Sequence, residues 1–244
     1  MNKDSRATHN QPTDYSNRLN LLTRLSLRLK SGAKRALPKG LVAEFRRMHS
    51  LSMKERIIYL RIRVLDKLRL HNRDSSRLAK SARSVLFVCF GNIMRSPMCE
   101  ALMNQALAAI PHATVQVASA GVNAVAGRPA HPWAIAAACE FGVSLADHRA
   151  RPLTREMLER ADVIFVMDYQ NQAQIIARYP EVSRKVMMLS AYAGLDYPFA
   201  EIRDPYYEDQ GGTRRCYQVL QACIRNLVSD LLAQADGAAP GRIS

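Results

Sequence analysis

The residues able to do chemistry stand in one short stretch, Cys89-Phe90-Gly91-Asn92-Ile93-Met94-Arg95-Ser96-Pro97, directly after the apolar run 85–88. That run, β-branched at both ends, reads as a strand buried on both faces of a parallel sheet. Gly91 and Asn92 predict a tight turn. Ser96 and Pro97 predict a helix start, with Ser96 as cap and Pro97 at the first helical position. A loop so placed points backbone N–H groups and the positive end of a helix dipole at whatever sits above Cys89, which makes residues 90–95 an oxyanion cradle. This setting favours thiolate over thiol, so Cys89 is expected to be a nucleophile at neutral pH. Arg95 can hold two oxygens of a tetrahedral oxyanion in a fork, a geometry that lysine lacks. The chemistry implied is phosphoryl transfer to sulfur. A Cys-x5-Arg pair alone is weak evidence; the longer string between strand and helix is far more specific.

At these residues the chain resembles the low-molecular-weight protein tyrosine phosphatases, whose signature is Cys-x-Gly-Asn-x-Cys-Arg-Ser-Pro. Met94 departs from it, standing where the family usually carries a second cysteine that can form a protective disulfide with the nucleophile. The resemblance implies hydrolysis of protein phosphotyrosine through a phosphocysteine, which needs an acid for the departing phenoxide. Asp204, in Arg203-Asp204-Pro205-Tyr206-Tyr207, matches the family's acid loop residue for residue and is expected first to protonate the leaving oxygen and then to deprotonate water. Tyr206 and Tyr207, with Ile93, are expected to line a slot for a flat aromatic substrate. Ser119 and His148 correspond to a family network with Asn92 and Ser96 that supports the loop, and Asp168 reads as a helix cap or backbone anchor. No metal and no cofactor is called for. By the same resemblance, the partner is a phosphotyrosine protein, such as the bacterial tyrosine kinases that control extracellular polysaccharide assembly.

Three rival readings remain open. An arginine phosphatase of the same fold usually has Thr two residues before the loop arginine, where this chain has Ile93. A thiol-linked arsenate reductase needs two further redox cysteines before the acid loop; Cys216 and Cys223 follow it instead. A non-catalytic membrane- or anion-binding module is disfavoured by the joint presence of Cys89, Arg95 and Asp204.

The charge is unevenly distributed. Residues 1–82 carry 20 Lys+Arg against 6 Asp+Glu, whereas residues 83–244 carry 15 of each, so the whole net charge of +14 lies in the first third of the 244-residue chain. The expectation is a basic extension over 1–82, partly disordered and partly helical, a phosphatase domain over 83–235 and a flexible tail over 236–244. Residues 1–15 are polar. Leucines and basic residues alternate over 19–37, and a basic helix is expected over 53–70 with Ile57, Leu60, Val64 and Leu68 as its apolar face. Basic amphipathic segments suit peripheral contact with an acidic membrane, here through residues 19–70. Nucleic acid is disfavoured, because no recognised fold or interleaved aromatic pattern accompanies the charge. A catalytic thiolate and five cysteines without disulfide or metal spacing point to the cytoplasm. No apolar run approaches the roughly 20 residues needed to span a bilayer.

From residue 85 onward, strands (85–88, 114–119, 163–167, 186–189) alternate with helices (96–109, 132–141, 154–160, 171–179, 216–232). The alternation predicts a three-layer α/β/α fold, flavodoxin-like, on a four-stranded parallel sheet with the active site beyond the carboxyl ends of the strands.

Overall fold

The computed structural model describes residues 50–68, 82–111 and 114–235. The stretches 1–15, 19–37 and 236–244, and the end of the helix expected to reach residue 70, lie outside these. Among the described residues the chain runs α1 (Met53–Lys67), β1 (Ser84–Cys89), α2 (Arg95–Ala108), β2 (Gln116–Gly121), α3 (Pro132–Glu140), α4 (Arg155–Arg160), β3 (Val163–Val166), α5 (Tyr169–Arg178), β4 (Val186–Met188) and α6 (Gln210–Ala235), with short 3-10 turns before and after β4 and at Pro205–Tyr207.

The strands are parallel in the order β2-β1-β3-β4. β1 is flanked on both sides, and its successive side chains separate into two cores, as the two-residue period of a strand requires. Val85, Phe87 and Cys89 pack with α2, α3 and α6, while Leu86 and Val88 pack with α4 and α5. The result is the expected three-layer α/β/α fold. The chain leaves β1 for β2 on one side and returns to β3 on the other, so the order reverses at the carboxyl end of β1, where Cys89 lies.

The boundaries of β2 and α6 differ most from the sequence reading. β2 starts and ends two residues later than 114–119, because its register with β1 runs from Ser84↔Gln116 to Cys89↔Gly121 and carries it level with Cys89. α6 begins at Gln210 rather than 216. The Asp209 carboxylate accepts from Gly212 N at 2.7 Å, which caps a first turn that contains two glycines.

α1 opens with a reciprocal capping box. Ser52 Oγ accepts from Glu55 N at 3.4 Å, and Glu55 Oε2 accepts from Ser52 N at 2.8 Å. The helix belongs to the compact unit that starts at Leu51, packed against α5. Its buried face is Glu55, Tyr59 and Ile62, and the expected apolar face of Ile57, Leu60, Val64 and Leu68 is exposed. Both faces carry apolar residues, so periodicity does not choose between them. Partners do: Glu55 receives Arg178 Nε of α5 at 3.3 Å, and Arg63 donates to Tyr59 Oη at 3.2 Å.

Candidate active site

The loop from Cys89 to Arg95 turns on Asn92, whose φ of 52° is the left-handed conformation tolerated by asparagine. The sequence reading gave this turn to Gly91 and Asn92 together, but Gly91 keeps an ordinary φ. The close approach falls to another glycine. A Cβ on Gly121 would stand 2.8 Å from both Asn92 N and Phe90 O, so β2 can end beneath the loop only without a side chain there.

Asn92 is fully buried and every polar atom of its side chain has a partner. Its amide donates to Ser96 Oγ (2.9 Å) and Ser119 Oγ (2.8 Å), and its Oδ1 accepts from Arg151 N (2.8 Å). Its carbonyl lies 2.7 Å from His148 Nε2, which must therefore carry the proton. Burial, opposed by that carbonyl and by Glu100, holds the His148 imidazolium below its ordinary value, so the ring is neutral at neutral pH. Ser119 donates onward to Glu100 Oε2 at 2.6 Å, and both Glu100 oxygens accept from Arg151 Nη2.

Ser96 departs from its expected role. The cap falls two residues earlier, at Met94, with no side-chain cap bond, so the Ser96 hydroxyl lies inside the first turn of the helix. It meets Cys89 Sγ at 3.0 Å and Ala120 O at 3.2 Å. Asn92 N points at Cys89 Sγ from 3.3 Å. A thiolate at Cys89 thus has the Asn92 N–H as a donor before any substrate oxygen arrives, and gains the single Ser96 proton when that hydroxyl turns from Ala120 O.

Arg95 is only 1% exposed, and its guanidinium is divided between two carboxylates. Nη1 donates to Asp168 Oδ2 (2.7 Å) and Ile202 O (3.0 Å), and Nη2 donates to Asp204 Oδ2 (2.6 Å). Burial disfavours its charge, but Asp204 and Asp168, with Cys89 behind them, outweigh that and raise its pKa, so Arg95 is a fixed cation. Asp168 serves twice, because its other oxygen caps α5 at Asn171 N (2.8 Å). Asp204 Oδ1 accepts from Tyr206 N at 3.1 Å, and Ile202 N donates to Met167 O at 2.8 Å, which ties the acid loop to the end of β3.

Around the mouth, the His131 ring stands 5.6 Å from Tyr206 and 5.0 Å from Trp133, both edge-on, and His131 N donates to Ile93 O. Ile93 is buried, Tyr206 is partly exposed and Tyr207 is 89% exposed against the Tyr206 ring.

A family model for the low molecular weight phosphotyrosine protein phosphatases matches residues 84–236. The chain belongs to that family. It is a protein-tyrosine phosphatase. It is 35% identical over 139 residues to a probable low molecular weight protein-tyrosine-phosphatase, EpsP, of Ralstonia nicotianae, covering 57% of this chain and 89% of that one. It is 38% identical over 138 residues to Etp of Escherichia coli K12, covering 57% and 87%. Among solved structures, the Erwinia amylovora tyrosine phosphatase AmsI matches with a TM-score of 0.55 at 34% identity, covering 61% of this chain and 92% of that one. The YwlE arginine phosphatase of Geobacillus stearothermophilus matches with a TM-score of 0.58 at 29% identity, covering 66% and 99%.

In this phosphatase the motif residues expected to work together converge in two networks, Cys89, Asn92, Ser96, Ser119 and His148 in one and Arg95, Asp168 and Asp204 in the other, adjoining at the Arg95–Ser96 backbone. Tyr207 stands apart from it. Glu100, Arg151, Gly121, His131 and Trp133 were not singled out from the sequence. One signal was available: Glu100 follows Ser96 by four residues and so shares its helix face. Cys216 and Cys223 are buried on α6, and burial pushes both thiols up to about 12, which leaves them unsuited to a thiolate relay.

Proposed function

We propose that Cys89, Arg95 and Asp204 carry the hydrolysis. The Cys89 thiolate attacks phosphorus, the bond from phosphorus to the phenolic oxygen breaks, and Asp204 gives that oxygen its proton. The Asp204 carboxylate then takes a proton from water, which attacks phosphorus, breaks the bond to sulfur and returns the thiolate with inorganic phosphate. Backbone N–H groups of Phe90, Gly91, Asn92, Ile93 and Met94, with Arg95, hold the equatorial oxygens. The observation that carries this reading is the division of the Arg95 guanidinium between Asp168 and Asp204. Asp168 holds one edge still, and Nη2 passes from Asp204 to an entering phosphate, which releases Asp204 toward the leaving group.

The substrate in this proposal is a phosphotyrosine protein in the cytoplasm, such as a tyrosine kinase of polysaccharide assembly. Residues 1–82 form an extension to the phosphatase domain over 83–235, and residues 19–70 bring the enzyme to an acidic membrane face. Ile93, with the aromatic mouth of His131, Trp133 and Tyr206, supports tyrosine over arginine as the substrate residue. Parallel rates on phosphotyrosine and phosphoarginine peptides test this: faster arginine turnover rejects it. A substrate-trapping capture with Asp204→Ala identifies the partner, and recovery of no tyrosine-phosphorylated protein contradicts the substrate class.

A further inference from the structure

α1 displays outward a face that the phosphatase reaction does not use. Met53, Ile57, Leu60, Val64 and Leu68 follow one another at spacings of four, three, four and four residues, so they form one stripe along the helix. All five are between 47% and 69% exposed. Lys54 and Arg61 border the stripe on one side, Arg63 and Lys67 on the other, and all four are exposed. Neither carboxylate of the helix shares this face: Glu55 is buried against Arg178, and Asp66 lies half-buried on the opposite side.

We propose that this face of α1 docks on an anionic lipid surface, with the apolar stripe entering the boundary between headgroups and acyl chains and the two basic borders resting on the headgroups. This deepens the reading that residues 19–70 contact an acidic membrane by assigning the contact to one face of one helix. Charge complementarity selects the occupant. A second copy of the face would oppose cation to cation, and so would the basic stretch 19–37 of the same chain; an anionic sheet satisfies both borders at once. The helix is already formed and held by Glu55, Tyr59 and Ile62 from behind, so docking does not have to order it first. No described helix is long and apolar enough to cross a membrane, and the contact proposed for α1 is peripheral.

The test is co-sedimentation of the full chain with vesicles of phosphatidylcholine, alone or mixed with phosphatidylglycerol. A variant carrying Ile57→Gln, Leu60→Gln and Val64→Gln is compared with the wild type. The wild type should bind the anionic vesicles and release as salt rises, while the variant should bind about tenfold more weakly or worse and keep its turnover on a small aryl phosphate. If wild type and variant bind equally, lipid contact stands but belongs elsewhere in residues 19–70, and the proposal for α1 falls. If the wild type ignores anionic vesicles, both fall. A shift in oligomeric state on substitution, with vesicle binding unchanged, assigns the stripe to another copy instead, and loss of turnover assigns it to the fold.

Discussion

On the underside of the phosphate loop, Asn92 is fully buried and commits both amide protons, its side-chain oxygen and its carbonyl to Ser96, Ser119, Arg151 and His148. On the rim, Tyr206 is 37% and Tyr207 89% exposed, with ring contacts for support. The underside holds the geometry that charge development demands, and a displaced donor there would weaken every turnover regardless of substrate. The rim meets the loop and Asp204 through backbone groups, Tyr206 N to Asp204 Oδ1 and His131 N to Ile93 O, so the Tyr206 and Tyr207 side chains stand outside that network. On the mechanism proposed above, reaction and recognition should therefore separate in this enzyme.

The largest effect should come from Cys89→Ser, which removes the nucleophile and leaves the cradle. Turnover of aryl phosphates should fall by on the order of 10⁴-fold or more while inorganic phosphate still binds. Comparable rates for mutant and wild type would remove the covalent route. Asp204→Ala should slow phosphotyrosine by on the order of 10² to 10⁴ but affect an activated ester, whose leaving group needs no proton, far less. A uniform loss on both substrates means that the loop has collapsed and the underside is not independent of Asp204.

Gly121→Ala probes the underside without touching a reacting group. Its Cβ would press on the backbone at Asn92 N and Phe90 O, 2.8 Å from each, and the expected loss is about 1–3 kcal/mol in urea denaturation, with reduced turnover. Unchanged stability would show that the loop has room to move. On the rim, Tyr206→Ala and Tyr207→Ala should change kcat/KM on a phosphopeptide by less than about tenfold, through KM, and leave stability within about 0.5 kcal/mol. A large fall in kcat from either would merge the two regions.

The smallest effect is on pH dependence. The folded His148 is held below its ordinary imidazole value of 6.5, so it binds a proton less readily than in the unfolded chain. Its contribution to stability is full above about pH 6.5 and is lost as the pH falls through its folded value. His148→Asn should flatten the decline in stability as the pH falls below about 6.5. An identical slope in both proteins would place the burial cost elsewhere.

The order of strands and helices and the place of the loop were legible because each rests on local chemistry, a β-branched run and a turn residue, whereas Asp204, which the structure sets beside Arg95, was singled out by its resemblance to the family's acid loop. What was not legible depends on partners far along the chain. Ser96 looks like a cap until Cys89 and Asn92 are seen beside it. Gly121 reads as the end of a strand, and only the register with β1 sets it under Asn92. The orientation of α1 is the clearest case. Its sequence offers two apolar faces, and the buried one is the one that meets Arg178, 123 residues from Glu55.

The separation of Arg95 from its anions, 73 residues to Asp168 and 109 to Asp204, has a consequence in time. A chain emerging amino end first makes the nucleophile, the loop and the guanidinium long before either carboxylate exists. A buried guanidinium without its carboxylates is costly, by several kcal/mol for an unpaired ion, so the loop cannot settle around Arg95 until β3 and the acid segment have docked. Function should therefore appear late and all at once during refolding. Binding of an oxyanion should rise with the final kinetic phase that also buries α6, and no early species should possess a working loop on an unfinished sheet.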